Sequence, residues 1–372
     1  MNRSNGRIRI LVLSPFPEEG AGYRFRIAQY IPQLNAAGFD VVAKPFYTTE
    51  FFRSVYRPGH YVRKSASFIR LALRRLAALT SVSRYDLVFI YREAFPIGPP
   101  LVELALARLG TPPIVYDFDD AIFMSNVSEA NRFAASLRYP QKVPAIIAHS
   151  DHVIVGNEFL AAYAGAHSDV VTTIPTCVDT NRFVPRAPES FVKGATPVVG
   201  WIGSPTTTPY VLEMEDVFRR VNGQHPFELR ISGAGRDVAF QGVTVRNTPW
   251  TLDREVELFN TCDVGVYPLA ADEWSKGKCG FKAIQFMACG VPVVAAAVGV
   301  NCDIIQDGVN GFLASTPDEW TEKIGRLLSE PELRCRFAAA GRKTIEEKYS
   351  LAVNGPKMVA TLQSVVDRSR RR

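Results

Sequence analysis

The residues with the clearest chemical potential lie in the stretch 276–301, KGKCGFKAIQFMACGVPVVAAAVGVN. Its loop, Gly277-Lys278-Cys279-Gly280, leads into a run where Phe281, Ile284, Gln285 and Ala288 recur at helical spacing. A helix is therefore predicted from about Phe281. The first N–H groups of such a helix have no internal partner, and its dipole places positive charge beside them. Glycines allow a ligand close to the backbone, and Lys278 and Lys282 add charge. Together these features make a cradle for an anion, most simply a phosphate. The plainer reading is a tight loop and a buried helix of any α/β domain, and spacing alone does not separate the two.

Two other groups offer chemistry. The segment EEGAGYRFR places Gly20, Gly22, Arg24 and Arg26 just after the first predicted strand, at the edge where ligands of open α/β sheets bind. It is not a GxGxxG fingerprint, so a nicotinamide dehydrogenase is a distant alternative. Two cations near the positive end of a helix dipole favour an anionic partner over a merely solvated helix start. The segment Asp117-Phe-Asp119-Asp120 closes another predicted strand. Carboxylates buried together repel, so at least one must meet a cation, a helix N-terminus or a substrate hydroxyl. Asp117 and Asp119 have the spacing of a metal-binding pair, but no further hard-oxygen ligand is identifiable nearby, so no metal is assigned. An N-cap role for Asp119 or Asp120 competes with a role in binding.

These groups need elements to position them. A strand over 8–13, a loop over 14–22, a helix over 23–37 with Ile27, Tyr30, Ile31 and Leu34 on one face, and a strand over 39–46 make a β-loop-α-β unit, hence a parallel sheet. Strands over 86–91, 114–118, 152–155 and 170–174 extend it, with helices over 101–109 and 142–148. His149 and His152 beside the 152–155 strand read as structural. The span 179–197, with Pro185, Pro188 and Pro197, reads as a linker. A second series follows: strands over 197–202, 227–231, 243–247 and 264–267, then the short apolar strand after the Gly-Val-Pro turn. Its helices run from about Pro209, over 253–260, and near 318–328 and 331–347. Loops carrying Gly203 and Ser204, Gly233, Trp250 and the 277–280 glycines should share one carboxyl edge. The fold class is α/β, with two doubly wound domains whose edges face each other across a cleft.

Composition bounds the function. The 372 residues, 47% hydrophobic and 22% charged, suit a globular protein of two domains. No run approaches the ~20 apolar residues of a membrane span, and the short apolar start is not a signal peptide. Six cysteines without a CxxC pair suit a reduced, cytoplasmic chain. The net charge of +6 is concentrated: Arg53, Arg57, Arg63, Lys64, Arg70, Arg74, Arg75 and Arg84 precede Asp86 without an acid between Arg53 and Arg84. No nucleic-acid motif accompanies them, so an anionic lipid surface or an anionic acceptor is favoured over nucleic acid. Aromatic and aliphatic residues interleave with these cations over 51–84, and 65–79 is a basic amphipathic helix that lies either on an anionic membrane or on its own domain with snorkelling arginines.

The segments FMACGVPVVAAAVGVNCDIIQDGVNGFLA, GKCGFK, CDVGVYPL, HVIVGNEFLAAYA and IPTCVDTNRFVP resemble glycosyltransferases of the GT-B fold, specifically glycosyltransferase family 4. The resemblance spans most of the chain and is most specific over 287–314. It implies two Rossmann-like domains: an acceptor-side domain over 1–185 and a nucleotide-sugar-binding domain over 186–351, with a helix over 352–372 packing back on the first. It also implies a cytoplasmic retaining glycosyltransferase, soluble or peripheral at the membrane face, acting in polysaccharide biosynthesis. Such an enzyme uses a nucleotide-sugar donor with no metal or further cofactor, and a glycan, lipid-linked or small-molecule acceptor.

Three departures stand out. The family usually carries two glutamates eight residues apart; here Gly277 and Gln285 hold those positions, and Gln285 retains the ability to bond a ribose hydroxyl. The Arg and Lys usual after the first strand of the second domain are absent from GWIGSPTTTPY. Where members place a His, this chain has Asp117, Asp119 and Asp120, which then position a sugar or stabilise charge at the anomeric carbon. The expected donor site is Gly203, Ser204, Gly233, Trp250, Lys278, Cys279, Gly280, Phe281, Lys282 and Gln285, completed by Gly22 and Arg24. The competing functions are a non-catalytic nucleotide-sugar- or glycan-binding protein and a nucleotide-sugar epimerase of the same fold.

Overall fold

The computed structural model describes residues 6–55, 59–109, 112–124, 139–186 and 196–371. The chain forms two compact units, Met1–Thr176 with Asn354–Arg372, and Cys177–Val353. Each is a doubly wound α/β unit built on a six-stranded parallel sheet.

In the first unit the strands are β1 (Ile8–Ser14), β2 (Phe39–Pro45), β3 (Leu87–Tyr91), β4 (Ile114–Phe118), β5 (His152–Val155) and β6 (Val171–Thr173). Their order is β2-β1-β3-β4-β5-β6. Continuous apolar runs such as Leu87–Tyr91 are buried on both faces, as strands covered by helices on either side must be. The winding reverses between β1 and β3, and a crevice for ligands opens at such a switch point.

The helix expected over 23–37 is broken. Helix Ala21–Arg26 ends at Ile27 (φ −131°, ψ −66°), a short 3-10 turn follows, and helix Ile31–Ala36 resumes with Pro32 in its first turn. Proline has no N–H to give to the preceding turn, which suits a restart and not a continuous helix. The helix expected over 65–79 spans Tyr61–Leu79. Its Leu71 is buried against Phe46, Tyr47 and Phe51, with Phe68 packed alongside. A second stripe points to solvent: Val62, Ile69, Leu73 and Leu76 are all more than half exposed. Tyr56 and Arg57 of this basic segment lie outside the described residues. Among the described residues no helix is long and apolar enough to cross a membrane.

Helix Leu351–Arg371 returns the chain to the first unit. Met358, Leu362, Val365 and Val366 are buried at the i, i+4, i+7, i+8 spacing of one helix face. Met358 and Leu362 stand with Ile10, Val12 and Phe89 around a small apolar cavity. Arg368 Nη2 donates to His152 Nδ1 (3.1 Å), and His152 Nε2 meets Thr172 Oγ1 (2.9 Å). Arginine has no acceptor, so Nδ1 is unprotonated, Nε2–H donates to Thr172, and the ring is neutral. Burial, then Arg368, pushes this imidazole down to about 4.

The unfolded chain, with a histidine near ~6.5, binds the proton first as pH falls. Stability is therefore expected to drop as pH goes from about 6.5 toward 4. Urea unfolding at pH 7 and pH 5 reads this, and the His152→Gln variant should lose part of the dependence. An equal dependence in that variant assigns the effect elsewhere.

In the second unit the strands are β7 (Val198–Ile202), β8 (Glu228–Ser232), β9 (Thr244–Thr248), β10 (Val264–Tyr267), β11 (Val293–Ala296) and β12 (Phe312–Ala314). Their order is β12-β11-β10-β7-β8-β9, with the reversal between β7 and β10. Helices Glu215–Gln224 and Pro317–Ser329 cover the sheet through Val217, Phe218, Val221, Ile324 and Leu327.

The span read as a linker is only partly one. Residues 187–195 lie outside the described residues, but Asp179–Arg186 is held by the second unit. Arg342 donates to the carbonyls of Thr180 (2.9 Å) and Ala288 (2.6 Å), and Arg186 pairs with Asp263.

Candidate functional site

At the switch point of the first unit, β4 delivers the three carboxylates, and they part company. Asp117 lies within the strand, fully enclosed. Arg26 donates to it twice, through Nε (3.0 Å) and Nη2 (2.6 Å), and through Nη1 to the Ile174 carbonyl (2.6 Å). Neither side chain has solvent exposure, so Asp117 does not face a substrate as expected. The anionic partner anticipated for Arg26 is internal. Arg24, also buried, donates to the carbonyls of Glu18 (3.1 Å) and Glu19 (2.9 Å) and so shapes the loop after β1.

Asp119 and Asp120 sit past the strand end, where Tyr91 and Arg92 arrive from β3. The Tyr91 hydroxyl donates to Asp119 Oδ1 (2.8 Å), and Arg92 reaches the same oxygen through Nε (2.9 Å) and Nη2 (2.6 Å). Arg92 Nη2 is also 3.6 Å from Asp120 Oδ2. Burial alone would raise the Asp119 carboxyl, but Arg92 with Arg26 outweighs it and holds the group below the usual carboxylate range. Asp119 is thus an anion at neutral pH, fit to accept from a hydroxyl or to stabilise a cation.

Gly22 completes this group. A Cβ there would stand 1.9 Å from the Tyr91 hydroxyl oxygen, so only glycine admits the ring. Arg92 takes a left-handed backbone (φ 57°), a strain that marks functional sites more often than ordinary loops. Its N–H donates to the Asp117 carbonyl (2.7 Å), and its own carbonyl accepts from the Tyr116 hydroxyl (2.8 Å). Arg92 was not anticipated; a cation directly after a strand, beside a strand ending in acids, was the available signal. Among the described residues no cluster of His, Cys, Asp and Glu is arranged to hold a metal ion.

At the switch point of the second unit, β7 runs into Gly203 and Ser204. The Gly203 N–H donates to the Ser232 carbonyl (3.0 Å), and the Ser204 N–H to Thr207 Oγ1 (3.0 Å). Gly233, after β8, has φ +83°, and a Cβ there would lie 2.4 Å from the Gly203 carbonyl oxygen and 3.7 Å from Trp250 Cβ. Gly203, Gly233 and half-buried Trp250 are therefore neighbours, as the shared sheet edge requires.

The loop after β10 brings the cations. Lys278 Nζ lies 5.4 Å from the Trp274 ring centre. Cys279 is buried, and Gly280 (φ 62°) caps helix Phe281–Ala288. Lys282 Nζ donates to Gln285 Oε1 (2.8 Å) and lies 5.4 Å from the Phe259 ring and 5.9 Å from that of Phe281. Gln285 is fully buried, and its Nε2 donates to Glu255 Oε1 (3.3 Å). Both polar ends of Gln285 are thus engaged within the protein, so it positions Lys282 instead of offering itself to a ribose hydroxyl.

Glu255, whose other oxygen accepts from Arg182 (3.1 Å), opens helix Glu255–Asn260, five residues after Trp250. Glu255 and Arg182 were not anticipated. Neither belongs to the glycine-rich loops, and the tie to Gln285 spans |i−j|=30.

Residues 196–330 match the family described as Glycosyl transferases group 1. A D-inositol 3-phosphate glycosyltransferase of Xylanimonas cellulosilytica is 28% identical over 227 residues, 53% of this chain and 53% of the relative. Another, from Frankia alni, is 44% identical over 62 residues, 16% of this chain and 15% of the relative. The chain thus spans about half the length, or less, of these curated relatives. Among solved structures, sucrose-phosphate synthase from Thermosynechococcus elongatus has a TM-score of 0.71 at 17% identity, covering 97% of this chain and 100% of that one. Anabaena Alr3699/HepE, solved in complex with UDP-glucose, has a TM-score of 0.69 at 16% identity, covering 96% of this chain and 100% of that one. At such identities these likenesses establish the fold, that of the GT-B glycosyltransferases, which the chain resembles.

Proposed function

We propose that the chain is a family 4-like glycosyltransferase that moves a sugar from a nucleotide-sugar donor to a hydroxyl of a glycan, lipid-linked or small-molecule acceptor, in the cytoplasm, with retention and without a metal. The observation that carries it is the second unit's sheet edge. Gly203, Gly233, Trp250 and the Lys278–Lys282 loop all fall within the residues that match the glycosyltransferase family. The donor diphosphate rests at the N-terminal end of helix Phe281–Ala288, with the helix dipole, Lys278 and Lys282 supplying charge. Trp250 lies toward the base. Asp119 and Asp120, with Arg92, serve the sugar or acceptor from the first unit.

In the reaction the anomeric carbon–oxygen bond to the diphosphate breaks, and the acceptor oxygen bonds to that carbon on the same face. The acceptor proton passes to the departing phosphate oxygen. Cations and N–H groups at the diphosphate stabilise the charge that accumulates there as the bond breaks, and anionic Asp119 opposes the positive charge at the anomeric carbon.

One observation favours a second reading, a non-catalytic nucleotide-sugar-binding protein: Gly277 offers no carboxylate, and Gln285 is fully engaged. Thermal-shift measurements with UDP- and GDP-sugars, followed by assay of nucleoside diphosphate release with candidate acceptors, separate the two. The expected result is stabilisation by one donor and acceptor-dependent release. Binding without release favours the second reading, and no binding of any nucleotide sugar refutes both.

A further inference from the structure

The first unit contains a cavity of about 660 Å³ between the end of β2 and helix Tyr61–Leu79, within the size range of small-ligand sites. Among the described residues its wall carries Lys44, Arg74 and Arg75 and no acid, with Tyr47, Ala77 and Ala78 among its less polar surfaces. Arg75 is only 3% exposed. Its Nη2 donates to the Ser14 carbonyl (3.0 Å), while among the described residues Nε and Nη1 have no hydrogen-bond partner and no carboxylate forms an ion pair with it.

A buried guanidinium in that state is costly unless a negative charge comes to it. Desolvation, then neighbouring Arg74, lowers it to about 10, and Glu103 pulls the other way without pairing. Glu19, which accepts from Thr49 Oγ1 of the cavity wall (2.9 Å), is also paired with Arg53 (3.2 Å). Arg74 spends Nη2 on the carbonyls of Pro45 (2.9 Å) and Phe46 (2.8 Å), tying the helix to the end of β2. Lys44 Nζ lies 5.9 Å from the centre of the Tyr85 ring.

We propose that this cavity binds the phosphate group of a phosphorylated ligand, and, given the glycosyltransferase reading, that this ligand is the acceptor. Three cations on the wall supply the charge, and the apolar surfaces of Tyr47, Ala77 and Ala78 meet the sugar, polyol or acyl part. Two sources present that chemistry: a soluble phosphate ester, or a lipid headgroup reached while the exposed Val62, Ile69, Leu73 and Leu76 lie on a membrane.

The test uses the full chain at low salt, with inorganic phosphate and glycerol 3-phosphate as soluble probes. Phosphatidylglycerol and phosphatidylcholine vesicles are the lipid probes. Wild type is compared with Arg75→Met, which keeps the volume and removes the charge, and with Lys44→Gln. Phosphate ions also reach the second unit's cradle, so the informative quantity is the difference between variant and wild type. Arg75→Met should fold with an unchanged or higher melting temperature, because the charge it removes has no pair. Its affinity for glycerol 3-phosphate should fall ~10-fold or more, the scale of a charge-assisted hydrogen bond. Nucleotide-sugar binding by both variants should match wild type, so failure of the donor reading would show separately.

Flotation with phosphatidylglycerol but not phosphatidylcholine vesicles, reduced in both variants, identifies the lipid source. Soluble binding without flotation identifies the free ester. Glycerol 3-phosphate affinity and anionic flotation both unaltered by the two variants, or both absent in wild type, would overturn the proposal.

Discussion

Replacing Arg26 by methionine should lower the thermal unfolding midpoint of the first unit by roughly 6–20 °C. The side chains of Arg26 and Asp117 are wholly without exposure, so the variant leaves the Asp117 carboxyl in the core without its hydrogen-bonded cation. Removing one partner of a buried pair costs roughly 3–5 kcal/mol, and a unit of this size shifts by about 2–4 °C per kcal/mol. Methionine roughly matches the length of the lost chain, so a cavity contributes little. The double variant Arg26→Met, Asp117→Leu removes both charges and should recover much of the loss, since an apolar pair replaces an ionic one. Urea unfolding followed by circular dichroism measures all three. A single variant within about 1 kcal/mol of wild type would contradict the assignment. The Asp117 carbonyl also fixes the Arg92 N–H, so transfer activity is expected to fall with the same variant.

The second large effect concerns the donor. Lys282→Ala should weaken nucleotide-sugar binding roughly 10- to 100-fold, the range of about 1.5–3 kcal/mol for a hydrogen bond to a charged group. The variant also strips the donor from Gln285 Oε1, so folded stability must be measured alongside affinity. Lys282→Arg keeps the charge and provides the comparison: partial recovery of affinity points to the diphosphate, and recovery of stability alone points to Gln285. Isothermal titration with the donor that thermal shift selects provides the constants. An unchanged constant for Lys282→Ala would remove this lysine from the diphosphate site.

How much of this was legible in the sequence depended on range. β4 over Ile114–Phe118, β10 over Val264–Tyr267 and helix Lys142–Ala148 follow from continuous apolar runs or one-sided spacing, which are local. β12, only three residues long, carries too little pattern to be read. Neither was helix Glu158–Gly165 anticipated, although Asn157 caps it by accepting from the Leu160 N–H (2.9 Å). The cluster of glycines and lysines was legible as a possible anion cradle because each member lies in one loop. The partners that decide each side chain's role were not. Arg26 finds Asp117 at |i−j|=91, Arg92 finds Asp119 at |i−j|=27, and Gln285 finds Glu255 at |i−j|=30. A carboxylate enclosed against a core arginine and one held past the strand end by a tyrosine and an arginine look alike until the sheet brings the strands together, as Asp117 and Asp119 demonstrate two positions apart.

The path of the last helix has a consequence for how the molecule is made. The first unit takes residues from both ends of the chain, Met1–Thr176 and Asn354–Arg372, while the second lies whole between them. During synthesis the second unit has all its residues as soon as Val353 has emerged. The first must wait for Met358, Leu362, Val365 and Val366 to cover the apolar surface of Ile10, Val12 and Phe89. The half that is translated first is therefore the half that is completed last, and no single cut in the chain releases either unit intact.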